Sequence, residues 1–306
     1  EMIFILAFVL GAARSFEMPT TQALLPSIVP SALFPRAVAS SQSAQQLATI
    51  VAPALGGLLY AFGSVWVYGP TVVLYLIACV LTLNLPARQT PLNKAKATMD
   101  SLLAGIRFIR SRPDILGAIS LDLFAVLLGG ATALLPVFAK DILLTGAWGL
   151  GLLRSAPAVG ALLMSLWLAR FSVDRHVGRV MFTAVGVFGV ATIAFGLSTS
   201  FWFSLAVLVV LGAADMISMV IRASFVQLET PDDMRGRVSA VNGLFIGASN
   251  QLGEFESGIT AHWFGTVPAV VMGGIGTLVV TGAWIKLFPT LANRDRMHVP
   301  VDETTA

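Results

Sequence analysis

The sequence predicts an all-α polytopic membrane protein with nine transmembrane helices. Hydrophobic residues make up 56% of the 306-residue chain and charged residues 11%, with a mean hydropathy of +0.84. This leaves too few charges to solvate a soluble protein of the same size. Nine apolar stretches have the length of about 20 residues that a spanning helix needs. In addition, a segment that begins at Val9 returns from Val210, and internal repeats are typical of membrane transporters.

The apolar stretches follow one another with short polar separators. They lie near residues 1–25, 40–62, 67–87, 114–139, 147–169, 179–198, 201–221, 238–261 and 267–288. Separators such as Gly63-Ser64 and Ser198-Thr199-Ser200 are so short that the helices on either side are expected to form antiparallel hairpins.

The repeat relates the first three spans to the last three. The segment Val9-Leu10-Gly11-Ala12-Ala13-Arg14 matches Val210-Leu211-Gly212-Ala213-Ala214-Asp215, and the same offset pairs Gly57 with Gly258. We interpret this as two copies of one helical unit. Arg14 and Asp215 occupy equivalent positions with opposite charges, so these charges are expected to meet across a pseudo-symmetry axis.

Lysine and arginine residues predict the orientation of the chain. Segment 88–112 is rich in both and is assigned to the cytoplasm by the positive-inside rule. Lys140 is placed on the opposite face, and Arg14 and Arg154 fall within spans. The C-terminus is expected in the cytoplasm, because the same face as segment 88–112 collects Arg36, Arg170, Arg175, Arg179, Arg222, Arg235, Arg237, Lys286, Arg294 and Arg296.

Several classes of function are not supported. The basic residues sit in short gaps between apolar spans, which argues against a nucleic-acid-binding surface. No Gly-rich loop is followed by the lysine that binds the phosphates of ATP, and no cofactor or metal site is predicted. The single Cys79 lies in an apolar run and is interpreted as a small packed hydrophobic residue.

Three segments resemble a known family. They are Pro231-Asp232-Asp233-Met234-Arg235-Gly236-Arg237-Val238, then Asn250-Gln251-Leu252-Gly253-Glu254-Phe255-Glu256-Ser257-Gly258, and Gly129-Gly130-Ala131 with Ala133-Leu134-Leu135-Pro136. Together they resemble the bacterial exporter branch of the major facilitator superfamily, which includes enterobactin exporters and transmembrane secretion effectors. The resemblance implies twelve helices in two six-helix halves. The chain then runs from the family's fourth helix to its twelfth, and the first three helices are missing.

The resemblance also implies a domain organisation. Residues 1–87 hold helices four to six of the N-terminal domain, and residues 114–288 hold the complete C-terminal domain. Between them, 88–113 is a cytoplasmic linker whose basic amphipathic helix is expected to lie on the anionic inner leaflet. Alternatively, its charges serve topology alone. The polar tail 289–306 is expected to be cytoplasmic and disordered.

Two motifs carry further family likeness. Pro53-Ala54-Leu55-Gly56-Gly57 resembles the proton-antiporter motif, although Ala52 replaces the glycine before Pro53. Here the proline bends the helix and the glycines permit close packing, which any transporter could use. Asp174-Arg175-His176-Val177-Gly178-Arg179 resembles the superfamily's cytoplasmic gating loop with one extra residue, and Arg235 and Arg237 are expected to join it. Ordinary positive-inside charge explains the arginines equally well.

Ionisable residues within the spans are the sharper candidates. A charge near the bilayer centre costs on the order of 3 kcal/mol even on the lenient insertion scale, so such residues usually face a polar cavity or a partner. In the resembled fold the cavity-lining helices carry Arg14 with Glu17, then Asp122, then Asp215. Alternatively, Arg14 and Glu17 form a local ion pair, and Asp122 lies near the headgroups as a cap. Asp215 is deeper in its span.

Glu254 is a candidate on different grounds. It occupies the position of Pro53 under the repeat. Gly247, Asn250, Glu254 and Ser257 recur at three- and four-residue spacing and form one small, polar stripe. This stripe indicates either helix packing through interhelical hydrogen bonds or a protonatable site.

Together with the resemblance, these residues predict a secondary transporter in a bacterial inner membrane. It would export a small organic molecule, siderophore-like or drug-like, by alternating access in exchange for protons. Asp215 or Glu254 would bind and release the proton, and Arg14 would hold an anionic substrate or the deprotonated carboxylate. The expected partners are substrate, protons and lipid, and a monomer is expected. Two classes stay open: a non-transporting scaffold or inactive fragment, and an intramembrane enzyme with Asp122 and Asp215 as its carboxylates.

Overall fold

All regular structure in the described part of the chain is helical. The computed structural model describes residues 2, 5, 6, 8–13, 34–60, 62–84, 99–171, 173 and 175–296, and residues 8–13 are helical. The α-helices that follow are α1 Phe34–Tyr60, α2 Val65–Leu83, α3 Met99–Ser111, α4 Pro113–Leu128, α5 Gly146–Arg170, α6 Val177–Gly196, α7 Phe201–Leu228, α8 Asp232–Phe264, α9 Thr266–Leu287 and α10 Pro289–Ala292.

Six stretches of helix in the described residues are long and apolar enough to cross a membrane. They are Val65–Leu83, Pro113–Ile142, Gly146–Arg170, Val177–Gly196, Phe201–Leu228 and Thr266–Leu287. Two further predicted spans are helical but are not among these six. The apolar part of α1, Leu47–Tyr60, is shorter, and α8 is long but carries more polar residues. The predicted span 1–25 lies largely outside the described residues. The chain is therefore a multi-pass membrane protein.

The helices fall into two units. The first comprises Glu1–Ala48 with Gly63–Lys96, and the second comprises Thr49–Phe62 with Ala97–Ala306. In the first unit no side chain of α2 is buried, as suits a helix whose apolar surface meets lipid. Cys79 is exposed on this helix, so the prediction of a packed cysteine was wrong.

Small residues bring the helices of the second unit close together. A methyl group at Gly212 would collide with the carbonyl oxygen of Pro157, and one at Gly160 with that of Val209. The α5 and α7 backbones therefore approach too closely for any larger residue at these positions. Close backbone approach through small residues is the usual packing mode of helices in membranes.

The fourth predicted span is interrupted in its middle. Helix α4 ends at Leu128, and a 3₁₀ turn Ala131–Leu134, a short α turn Leu135–Val137 and a π turn Phe138–Ile142 follow. Gly129 and Gly130 form the break. A methyl group at Gly130 would meet the hydroxyl of Ser257 on α8, so the break fits against that helix.

Helix α3 packs on protein along one face. Ile109 is buried with Val238 and Val241 of α8, and a methyl group at Gly105 would lie 3.0 Å from the carbonyl oxygen of Arg237. The face of α3 that contains Ile109 contacts protein and not lipid. Only the opposite face, where Leu103 is exposed, is left to lie on the inner leaflet as predicted.

The segment after α9 is ordered, contrary to the predicted disorder after Lys286. Helix α10 and the residues up to Arg296 have defined structure. Leu291 is fully buried in a cluster with Leu121, Met181 and Phe225. The apolar anchor at Leu291 explains the order, because its burial offsets the entropy of fixing this short segment. Residues 297–306 lie outside the described residues.

Candidate functional site

Helices α4 and α7 place a buried ion pair inside the second unit. Asp122 on α4 is 7% exposed and Arg222 on α7 is 5% exposed. Arg222 Nη1 contacts Asp122 Oδ1. Two charges removed from water are tolerated because each compensates the other, and removal of one partner leaves an uncompensated charge that costs about 3–5 kcal/mol.

A second carboxylate lies beside this pair. Asp215 precedes Arg222 by seven residues on α7, which is about two helical turns, so both project from similar sides of the helix. It shares a small cavity with Asp122 and Ser218, lined also by Ala125, Val126, Val185, Phe188 and Ala214. The volume within which the centre of a water molecule fits is about 10 Å³, so the cavity is about large enough for one water molecule.

The charges of this cluster do not balance. Asp122 and Asp215 are two carboxylates, and Arg222, which is paired with Asp122, is a single guanidinium. The three groups together are neutral when one carboxylate carries a proton. Asp122 and Arg222 are buried and Asp215 is partly buried. Burial favours a neutral group of charges, so this arrangement is suited to binding a proton.

The sequence prediction treats Arg222 as positive charge at the cytoplasmic face, after a span that ends near 221. Helix α7 instead continues to Leu228, and Arg222 is buried on it against Asp122. One signal in the sequence indicates this. Apolar residues continue after Arg222 at Phe225 and Val226, and both are buried. Asp122 is buried and paired with Arg222, so it does not cap a helix end.

Other candidates are not brought to this cluster. Arg14 and Glu17 lie outside the described residues, so their proposed contacts stay predictions. Asn250 and Glu254 are exposed on α8, whereas Ser257 of the same predicted stripe is buried against the α4 break. The stripe therefore divides between an exposed part and a packed part.

The glycines of the predicted antiporter motif differ from each other. A methyl group at Gly57 would lie 2.6 Å from the carbonyl oxygen of Ala147, and one at Gly151 would lie 2.6 Å from that of Pro53. Gly56 faces open space. Gly57 thus permits the contact between the last turns of α1 and the start of α5, and Gly56 has no such role.

The predicted gating residues lie at the ends of α6 and α8. Arg175 and Arg179 are exposed, and Gly178 is buried at the start of α6. Arg237 is exposed, and its Nη1 lies 3.3 Å from Met234 Sδ. Asp174 and the side chain of Arg235 lie outside the described residues.

Comparison with known proteins identifies relatives. The model of the Major Facilitator Superfamily matches residues 1–253. The chain is also similar to "Enterobactin exporter EntS" from Escherichia coli O1:K1 / APEC, from E. coli O139:H28 (strain E24377A / ETEC) and from Shigella boydii serotype 18 (strain CDC 3083-94 / BS512). Each match is 26% identical over 279 residues and covers 90% of this chain. The chain spans 63% of the length of these relatives.

Proposed function

The chain belongs to the major facilitator superfamily, as its motifs predicted, and we propose that it forms part of a secondary transporter that exports a small organic molecule across the bacterial inner membrane in exchange for protons. The observation that carries the proton coupling is the cluster of the buried pair Asp122 and Arg222 with the partly buried Asp215. The two carboxylates and one guanidinium give it a place for a single exchangeable proton.

The cluster supports the following exchange. With the substrate site empty, a proton on Asp215 keeps the cluster neutral while Arg222 stays paired with Asp122. When Asp215 loses this proton, both ionised carboxylates attract Arg222, so the guanidinium shifts towards Asp215. Because Asp122 lies on α4 and the other two residues lie on α7, this shift changes the attraction between the two helices. Proton transfer is thereby coupled to helix movement.

The proposed substrate class is a catecholate siderophore. Its support is the 26% identity to proteins named as enterobactin exporters. Arg14 and Glu17 stay proposed members of the pathway, with Arg14 as the partner of an anionic substrate group. Glu254 and Asn250 stay proposed as exposed polar groups on the route, since neither is covered by the described helices.

Transport by inside-out membrane vesicles tests the proposal. We expect enterobactin to accumulate in vesicles that contain the protein when their lumen is acidified, and the accumulation to fall when the pH gradient is collapsed. Asp215→Asn should abolish the gradient dependence, because the amide cannot exchange a proton. Asp141→Asn is the matched control, because this carboxylate is exposed. Accumulation that ignores the gradient in the wild-type protein would exclude proton exchange.

A further inference from the structure

The residues after α9 pack against the ends of α4, α6 and α7. We define the C-terminal strap as residues 288–296, which include α10. Leu291 anchors it, since this side chain is fully buried among residues of α4, α6 and α7. The strap therefore connects helices that are far apart in the sequence.

Hydrogen bonds fix the strap to the start of α6. The amide of Gly178 donates to the carbonyl oxygen of Arg294 at 3.0 Å, and the amide of Val177 donates to that of Asp295 at 3.3 Å. The amide of His176 donates to Asp295 Oδ1 at 3.1 Å. The first amides of a helix lack partners within the helix, so the strap acts as the N-terminal cap of α6. A methyl group at Gly178 would collide with the carbonyl oxygen of Leu291.

Arg294 joins the ends of α4 and α7. Its Nη1 lies 2.5 Å from Oδ2 of Asp114, in the first turn of α4. Its Nη2 contacts Oε1 of Glu229, the residue that ends α7. The guanidinium carbon lies 5.3 Å from the ring centre of Phe225, and the Arg294 side chain is 14% exposed.

This bridge continues the buried pair along the same two helices. Asp114 precedes Asp122 by eight residues, and Glu229 follows Arg222 by seven, which places the bridge about 10–12 Å from the pair. Without Arg294, the ends of α4 and α7 would present two carboxylates to each other, and like charges repel. A planar guanidinium with two separate donor nitrogens can hold both acids at once, whereas a lysine ammonium is a single point charge.

We propose that Arg294 is a positioning residue for the transport site: by bridging Asp114 and Glu229, it holds the ends of α4 and α7 at the spacing that the Asp122–Arg222 pair requires. This rests on the proposed function, since the pair is its proton site. The strap thereby links the segment after the last helix to the chemistry inside the membrane. Arg294 touches no reacting group and acts through the positions of α4 and α7.

The spacing can be measured directly with spin labels. In a Cys79→Ala background, labels at Pro113→Cys, the first residue of α4, and Gln227→Cys, near the end of α7, are both exposed. They report the distance between the ends of α4 and α7 by pulsed electron paramagnetic resonance. We expect Arg294→Gln to shift the distribution to longer distances and to broaden it. Arg294→Lys should give an intermediate shift. Arg296→Gln, which removes a neighbouring exposed charge, should leave the distribution unchanged.

Two further variants keep the proposal testable if Arg294→Gln fails to fold. Glu229→Gln removes the ionic attraction between Arg294 and the end of α7 and should also lengthen the distance. Arg294→Gln combined with Asp114→Asn removes one of the two facing carboxylates and with it the repulsion. This variant should give a distance closer to wild type than Arg294→Gln alone. Wild-type distributions in all folded variants would overturn the proposal.

A second readout separates this proposal from the proposed function. In the purified protein, enterobactin-induced proton release should fall in Arg294→Gln and recover in part in Arg294→Lys. Full release in Arg294→Gln, despite a changed distance, would overturn the positioning role. If the wild-type protein releases no proton, the proposed function fails, while the distance measurement still tests the bridge because it needs neither substrate nor a pH gradient.

Discussion

At the scale of single residues, the buried pair between Asp122 and Arg222 is the most consequential contact. Both side chains are almost fully buried, so each depends on the other for compensation of its charge. We expect Asp122→Ala or Arg222→Leu alone to lower the free energy of unfolding by about 3–5 kcal/mol. Unfolding in detergent, followed by circular dichroism, measures this loss.

Matched variants test whether the uncompensated charge causes this loss of stability. Asp122→Asn combined with Arg222→Gln removes both charges and should recover much of the stability that either single change loses. Asp141→Asn should have little effect, since Asp141 is exposed. A double variant no more stable than the less stable single variant would show that packing, rather than charge compensation, explains the loss.

The sequence pattern indicated Asp122 and Asp215 as candidates but not Arg222, which pairs with Asp122. Asp122 and Asp215 stood out because carboxylates are rare in apolar spans. Arg222 did not, because a span predicted to end near 221 placed it after the helix, where an arginine is interpreted as ordinary topological charge. Helix ends are the least certain part of a sequence prediction, and here an error of seven residues changed the meaning of one side chain.

At the scale of helices, the contact between α1 and α5 depends on one glycine of an adjacent pair. A methyl group at Gly57 would press on the backbone of α5, whereas Gly56 faces open space. We expect Gly57→Ala to cost about 1–3 kcal/mol through overpacking, and Gly56→Ala to cost little. Thermal unfolding of both variants checks this difference. Equal losses would contradict the close contact between Gly57 and Ala147.

The ordered structure of the C-terminal strap could not be predicted from its local sequence pattern. Residues 288–296 are short and largely polar, and such composition is typical of a disordered tail. Their order depends on one buried side chain, Leu291, and on hydrogen bonds to a loop more than a hundred residues away. No local periodicity encodes partners at that distance.

At the scale of the whole molecule, one pair of helices begins at the offset of the sequence repeat. Helix α2 begins at Val65 and α9 begins at Thr266, which is the 201-residue offset found in the sequence. The turns before them contain Gly63 and Gly265, both with positive φ, a conformation that glycine adopts readily. The helices in the described residues from 34 onward follow the order of the predicted spans, because apolar composition over many residues determines a spanning helix. The duplication stays a prediction.

The orientation of the chain is a prediction for the whole molecule. We expect the C-terminal strap in the cytoplasm and the turn at Thr199 on the opposite side. Single cysteines at Arg296 and Thr199, both exposed, can be introduced with Cys79→Ala and labelled with an impermeant maleimide. In spheroplasts, whose outer membrane is permeabilised, the Thr199 site should react and the Arg296 site should not. Inside-out vesicles should give the reverse, and the same reactivity pattern in both preparations would contradict the assignment.

The proton proposed for the cluster of Asp122, Asp215 and Arg222 can be tested by counting the protons that are released when enterobactin is added. Purified protein in weakly buffered detergent solution is mixed with enterobactin, and the released protons are followed with a pH-sensitive dye. We predict that substrate binding releases protons from the wild-type protein and from Asp141→Asn, and that Asp215→Asn releases fewer while still binding substrate. Undiminished proton release from both Asp122→Asn and Asp215→Asn would contradict the assignment of the proton to this cluster.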